Sequence, residues 1–254
     1  MKLNLKPAQR LFLCLTPLVT SSVFLALPSF AATLASSEAT LTFSNFSHNP
    51  LTIETDKSPN TWKSTNNGQV VAESQTEAVF NLDRSNLSGT KAFSTSISTV
   101  QGDGNGYSET AQSSTRLMGY NFRVGAGETF SFDFSEFLHL STSVDYEPEA
   151  ANAFGTIAFQ LYDNTDSTQP PILLDFFTIS SGLNSLDNSD FLDVFQSSSV
   201  ILNPNGTTSR NFGGSKESAH TDVTGRISRF FDRTTSLILR GFKSNSAGAS
   251  CPNR

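Results

Sequence analysis

Carboxylates are the side chains of this sequence best placed to do chemistry. Asp187, Asp190 and Asp193 follow one another at three-residue steps, and Asp145, Glu147 and Glu149 bracket Tyr146 and Pro148. Asp163 and Asp166 form a further group. Calcium accepts irregular sets of oxygen ligands from loops, so Asp187, Asp190 and Asp193 are candidate calcium ligands. The same acids also serve as turn and cap residues, accepting nearby backbone N–H groups without any metal. Asp103 and Asn105, within Gly102–Gly106, offer oxygens too. That run lacks the pattern of the twelve-residue calcium loop, the lysine of a P-loop and the spacing of a dinucleotide fingerprint. It reads as a hairpin end.

The second kind of candidate is aromatic. Trp62 is the single tryptophan, and Asn60, Asn66 and Asn67 lie close to it. An indole among amides suits a sugar: the ring stacks on the C–H face, and the amides bond the hydroxyls. The other reading is a tryptophan at the margin of the core. Tyr107, Tyr120 and Tyr146 carry the same two readings, and Trp62, Tyr107 and Tyr146 are the candidate ligand-binding residues. His48, His139 and His220 stand far apart in sequence, with no metal-ligand neighbour at helical or hairpin spacing. His139 alternates with Leu138 and Leu140, which puts it on the outer face of a strand. No zinc-protease helix, zinc ribbon or nucleophile elbow is present. A glycosidase needs two carboxylates across a cleft, and no pair stands out. No catalytic residue is assigned.

The elements that position these residues follow a period of two. Phe130, Phe132 and Phe134 alternate with Ser131, Asp133 and Ser135, and Ile157, Phe159 and Leu161 alternate with Ala158, Gln160 and Tyr162. Leu41 and Phe43 alternate with Thr residues, and 199–202 and 236–242 read as further strands. The nearly continuous apolar run from Ile172 to Ile179 suggests a strand buried on both faces or a crowded core position. Turn chemistry separates these runs, as at 66–68, 102–106, 125–127, 204–206 and 213–214. Many short strands with such punctuation predict a single antiparallel β-sandwich, jelly-roll-like, over residues 32–243. The 22 phenylalanines can fill its interlayer without disulfides. Residues 187–195 admit a short capped helix or an irregular turn. Residues 244–254 are small and polar and read as a disordered tail.

Residues 1–31 have the layout of a cleaved export signal. Lys2, Lys6 and Arg10 precede an apolar stretch from Leu11 to Leu27, and Ser29-Phe30-Ala31 supplies small residues around the cut. Cleavage is expected after Ala31, with Ala32 as the alternative. Its loss removes three positive charges and no acid, moving the formal charge from -6 to -9. Such a chain is not drawn to nucleic-acid phosphates. Only Cys251 survives cleavage, so the domain must hold by packing alone. No later segment is apolar enough for a transmembrane anchor.

The stretch from Gly127 to Phe195 resembles a family of uncharacterised secreted cyanobacterial proteins. The resemblance rests on GETFSFDFSEFLHLSTSVD, AFGTIAFQLYDNTD and LLDFFTISSGLNSLDNSDFLDVF. Members commonly carry a PEP-CTERM sorting tail; here Ser250-Cys251-Pro252-Asn253-Arg254 stands where it would begin. The resemblance implies export, a β-sandwich, and a place in the envelope or extracellular polysaccharide. It transfers no active residues. The leading expectation is a secreted or cell-surface, non-enzymatic matrix protein that binds polysaccharide or envelope components. An extracellular glycan hydrolase and a self-associating envelope protein remain the alternatives. No cofactor is expected apart from the calcium candidate.

Overall fold

A computed structural model describes residues 32–66, 68–83, 87–187 and 189–252. The signal-peptide reading of residues 1–31 lies outside the described residues. The rest is strands: β1 (Ala32–Ser44), β2 (Thr52–Thr65), β3 (Gln69–Asn81), β4 (Lys91–Asp103), β5 (Tyr107–Val124), β6 (Glu128–Ser143), β7 (Ala150–Asp163), β8 (Ile172–Asn184), β9 (Phe191–Gln196), β10 (Val200–Leu202), β11 (Thr207–Asn211), β12 (Lys216–Phe231) and β13 (Thr235–Cys251). One 3-10 turn, Leu87–Gly89, interrupts them. Among the described residues no helix is long and apolar enough to cross a membrane.

Two antiparallel sheets pack face to face, as the alternation predicts. The first runs β10-β12-β6-β1-β4-β3, with β11 also paired to β12; the second runs β2-β5-β13-β7-β8-β9. β7, β8 and β9 form a meander, whereas β1, β2 and β3 alternate between the sheets. Period-two apolar residues point inward. Phe43, Phe122, Phe130, Phe132, Phe159 and Phe177 are sealed from solvent and meet mostly edge-to-face or tilted, with Phe43 and Phe132 at 5.5 Å between ring centres and Phe159 stacked on Phe177. Edge-to-face contact sets the positive rim of one ring against the negative face of another.

Three expectations need correction. Residues 244–251 are the end of β13 and pair with both β5 and β7. Small residues suit that place: Ala247 and Ala249 point inward and are buried. Among the described residues of 187–195 there is no helix, which leaves the turn reading: a turn at 185–187 precedes the strand β9, hydrogen-bonded to β8. The apolar run in β8 is not buried on both faces. Asp175, Phe177 and Ile179 point inward, while Phe176 and Thr178 lie half-exposed on the outer face.

Candidate functional site

The outer face of the six-stranded sheet brings distant residues into rows. Strand register sets each row, because directly paired residues share a face. One row reads Trp62, Thr110, Gly248, Asn152 and Asn184 across β2, β5, β13, β7 and β8. The next reads Asn60, Gln112, Ser246, Phe154, Gly182 and Phe191, reaching β9. A third is hydroxyl-rich: Ser58, Ser114, Ser244, Thr156, Ser180 and Asp193.

The aromatic members of these rows face solvent. Trp62 is 54% exposed, Phe154 43% and Phe191 37%. Gly182 explains how the two phenylalanines lie. A Cβ there would stand 2.6 Å from Phe191 Cε1 and 2.8 Å from Phe154 Cδ1. The missing side chain lets both rings lean over one backbone position and form a pad. Three strand spacings, about 14 Å, separate the column of Trp62 from that of Phe154. Between them lie amides. The side chains of Asn60, Gln112 and Asn152 make no hydrogen bond within the described residues. In the hydroxyl row, Thr156 Oγ1 and Ser180 Oγ lie 3.3 Å apart.

The other predicted site residues fare differently. Tyr107 is not a ligand platform: it is 3% exposed, its hydroxyl donates to Thr33 Oγ1 at 2.7 Å, and burial raises its pKa. The glycine-rich neighbourhood makes room for the ring, which lies where a Cβ on Gly102 would be. Tyr146 is half-buried in the turn at 144–149, and its carbonyl accepts the Glu149 N–H at 3.0 Å. Asp187 caps its own turn, accepting from the Ser189 amide at 2.9 Å and from the Ser189 hydroxyl. Asp190 accepts the Asn184 N–H at 2.9 Å and the Gly213 N–H at 3.2 Å. Asp193 lies in the hydroxyl row of the outer face. The three aspartates are thus divided among three tasks. Among the described residues no three acidic, histidine or cysteine side chains form a metal cluster.

Carboxyl chemistry is concentrated inside. Burial raises Glu109 to about 8, against a smaller opposing pull from Lys63. Burial also raises Glu136 well above the usual range and lowers Lys243 well below its own; each charge opposes the shift of the other. Glu109 and Glu136 are 1% and 0% exposed, closed to any polymer substrate. Glu217, also buried, is raised chiefly by burial and further by neighbouring Asp190, while the Thr142 hydroxyl pulls it back. A groove of about 620 Å³ with a mixed lining opens on the other sheet, bounded by Asp133, Phe134, Ile201, Leu202, Thr224 and Arg226 among others. Within it Arg226 Nε stands 3.6 Å from Asp133 Oδ1, and Asn45 donates to Asp133 Oδ2 at 2.7 Å.

No protein family, curated protein or solved structure matches this chain. The geometry therefore carries the functional argument alone.

Sequence reading singled out Trp62 from its local amides. It missed Phe154 and Phe191, which stand 37 positions apart and meet only through the β7-β8-β9 register. Gly182 was the available signal, a glycine inside a strand, which marks close approach by something else.

Proposed function

We propose that the protein binds extracellular polysaccharide on the outer face of its six-stranded sheet and performs no chemistry on it. The observation that carries this reading is the pair of adjacent rows whose exposed rings, Trp62 in one and Phe154 and Phe191 in the other, flank unpaired amides. A flat face of rings stacks on sugar C–H surfaces, and free amides and hydroxyls take the sugar hydroxyls. An extended polymer running obliquely across the strands contacts Trp62 and the phenylalanine pad together. Export through residues 1–31 belongs to the same proposal.

The alternatives have less to stand on. A hydrolase of the two-carboxylate type needs an acid and a base facing each other across a cleft, and the buried acids Glu109 and Glu136 face the interior. Self-association through β2 meets a guarded edge: that strand carries Pro59, Lys57 and Lys63, residues that blunt edge-to-edge pairing.

Affinity electrophoresis of the full chain in gels holding soluble neutral β-glucan, xylan, mannan or alginate tests the reading. Retardation by at least one polymer is expected, unchanged by chelator. W62A and the F154A/F191A double variant should each weaken it by about tenfold or more, equivalent to about 1.4 kcal/mol, without lowering thermal stability. Retardation by none of the polymers, or variants that bind like the parent, refutes the proposal. Loss on chelation would move the site to the acidic turn around Asp187 and Asp190.

A further inference from the structure

The opposite face of the molecule carries a second arrangement, independent of the glycan reading. On the outer surface of the seven-stranded sheet, β1, β6 and β12 are neighbours. Glu38 pairs directly with His139, and His139 pairs directly with His220. Three side chains of ligand type thus stand in consecutive positions of one row. We propose that Glu38, His139 and His220 form a site for a divalent ion of the zinc class.

Geometry is the first support. The His139 and His220 ring centres lie 5.9 Å apart. With Zn–N bonds near 2.0–2.1 Å, two imidazoles on one tetrahedral zinc hold their centres about 5 Å apart. Rotating the side chains closes that gap of under about 1 Å. Phe137, one row away, flanks both rings, at 5.2 Å from His220 and 6.5 Å from His139. It limits their motion on one side.

Lack of other employment is the second support. The Glu38 carboxylate and the His139 ring have no hydrogen bond or ion pair within the described residues. His220 has one long contact, 3.5 Å from Nε2 to Thr207 Oγ1. All three are half-buried. A half-buried carboxylate paired with one imidazole and one strand further from the second, with no donor bonded to it among the described residues, has its acceptor capacity free. The side chains have not yet converged as a metal cluster, so the ion gathers them by rotation on binding. Two imidazoles and a carboxylate suit zinc, nickel or copper; calcium and magnesium prefer oxygen alone.

Calorimetric titration of the full chain with zinc chloride tests this. One zinc per chain is expected, and cobalt substitution should give the visible absorption of a tetrahedral site. H139A and H220A should each weaken zinc binding by at least about tenfold, and E38Q by less. H48A, far from the row in sequence and on no part of it, should bind like the parent. Each substituted side chain is on the outer surface, so unchanged melting temperatures are expected and would separate lost ligation from lost fold. Absence of zinc binding, or equal binding by the H139A/H220A double variant, overturns the proposal.

Discussion

The two ends of this sandwich are filled by opposite means. At one end, Phe43, Phe122, Phe130, Phe132 and Phe159 meet ring to ring between the sheets. At the other, the core is Ala35, Ala72, Ala111, Ala247 and Ala249 around Tyr107 and Cys251. Between them runs a polar seam. Ser96 Oγ donates to Asn245 Oδ1 at 2.6 Å, Asn245 Nδ2 donates to Ser37 Oγ at 2.7 Å, and Ser98 and Ser113 hydroxyls lie 2.9 Å apart. The ends also treat buried acids differently. Asp175, beside the rings, is held by Arg229 at 3.2 Å and by the Ser197 and Ser199 hydroxyls. The side chains of Glu109, Glu136 and Lys243, in and beside the seam, have no hydrogen-bond partner among the described residues. The contrast separates a region that supplies stability from one whose polar groups oppose it.

The sharpest break in that contrast is to empty the aromatic end. Phe159 contacts the rings of Phe43, Phe132, Phe134 and Phe177. F159A removes that shared partner and leaves a cavity, at an expected cost of about 3–5 kcal/mol. Chemical denaturation checks it; a loss below about 1 kcal/mol would mean the rings are loosely packed and the end is not the stabilising one.

The seam should respond in the other direction. Glu136 and Lys243 are buried polar groups drawn from opposite sheets, with no hydrogen bonds to offset desolvation. Replacing such a pair by apolar side chains of similar volume is often stabilising, by about 1–4 kcal/mol. The E136M/K243M double variant should therefore gain stability in the same denaturation assay. A double variant that loses stability would show that the pair holds the sheets together.

The same contrast governs what could be read beforehand. β6 and β7 were legible because their alternating apolar residues do point inward. β4 inverts the rule: Ser94, Ser96 and Ser98 face the interior, while Phe93 and Ile97 lie half-exposed outside. Period alone would have turned that strand over, because the partners that make Ser96 and Ser98 tolerable, Asn245 and Ser113, come from another sheet. The candidate faces were partly legible for a similar reason. Trp62 has its amides beside it in sequence, and His139 shows its outward direction by alternation. The pairing of His139 with His220, 81 positions on, depends on register between β6 and β12, which no local pattern sets.

The remaining break is the pH response of Glu109, and it tests whether the small-residue end opposes folding. Its folded pKa, about 8, lies above the unfolded value of about 4.3. Between those values the folded state holds a proton that the unfolded chain has lost. Linkage then makes stability fall as pH rises through that window. Below about pH 4 the contribution is fully present; above about pH 8 it is gone. Glutamine at this position keeps the shape and cannot titrate. The difference in melting temperature between the parent and E109Q, measured from pH 5 to pH 9, should therefore move steadily in favour of E109Q as pH rises. Taking a difference removes the slopes that Glu136 and Lys243 contribute to both proteins. Parallel curves would mean that Glu109 reaches water in solution, through Lys63 and the open edge of β2, and that the alanine-lined end is looser than its burial suggests.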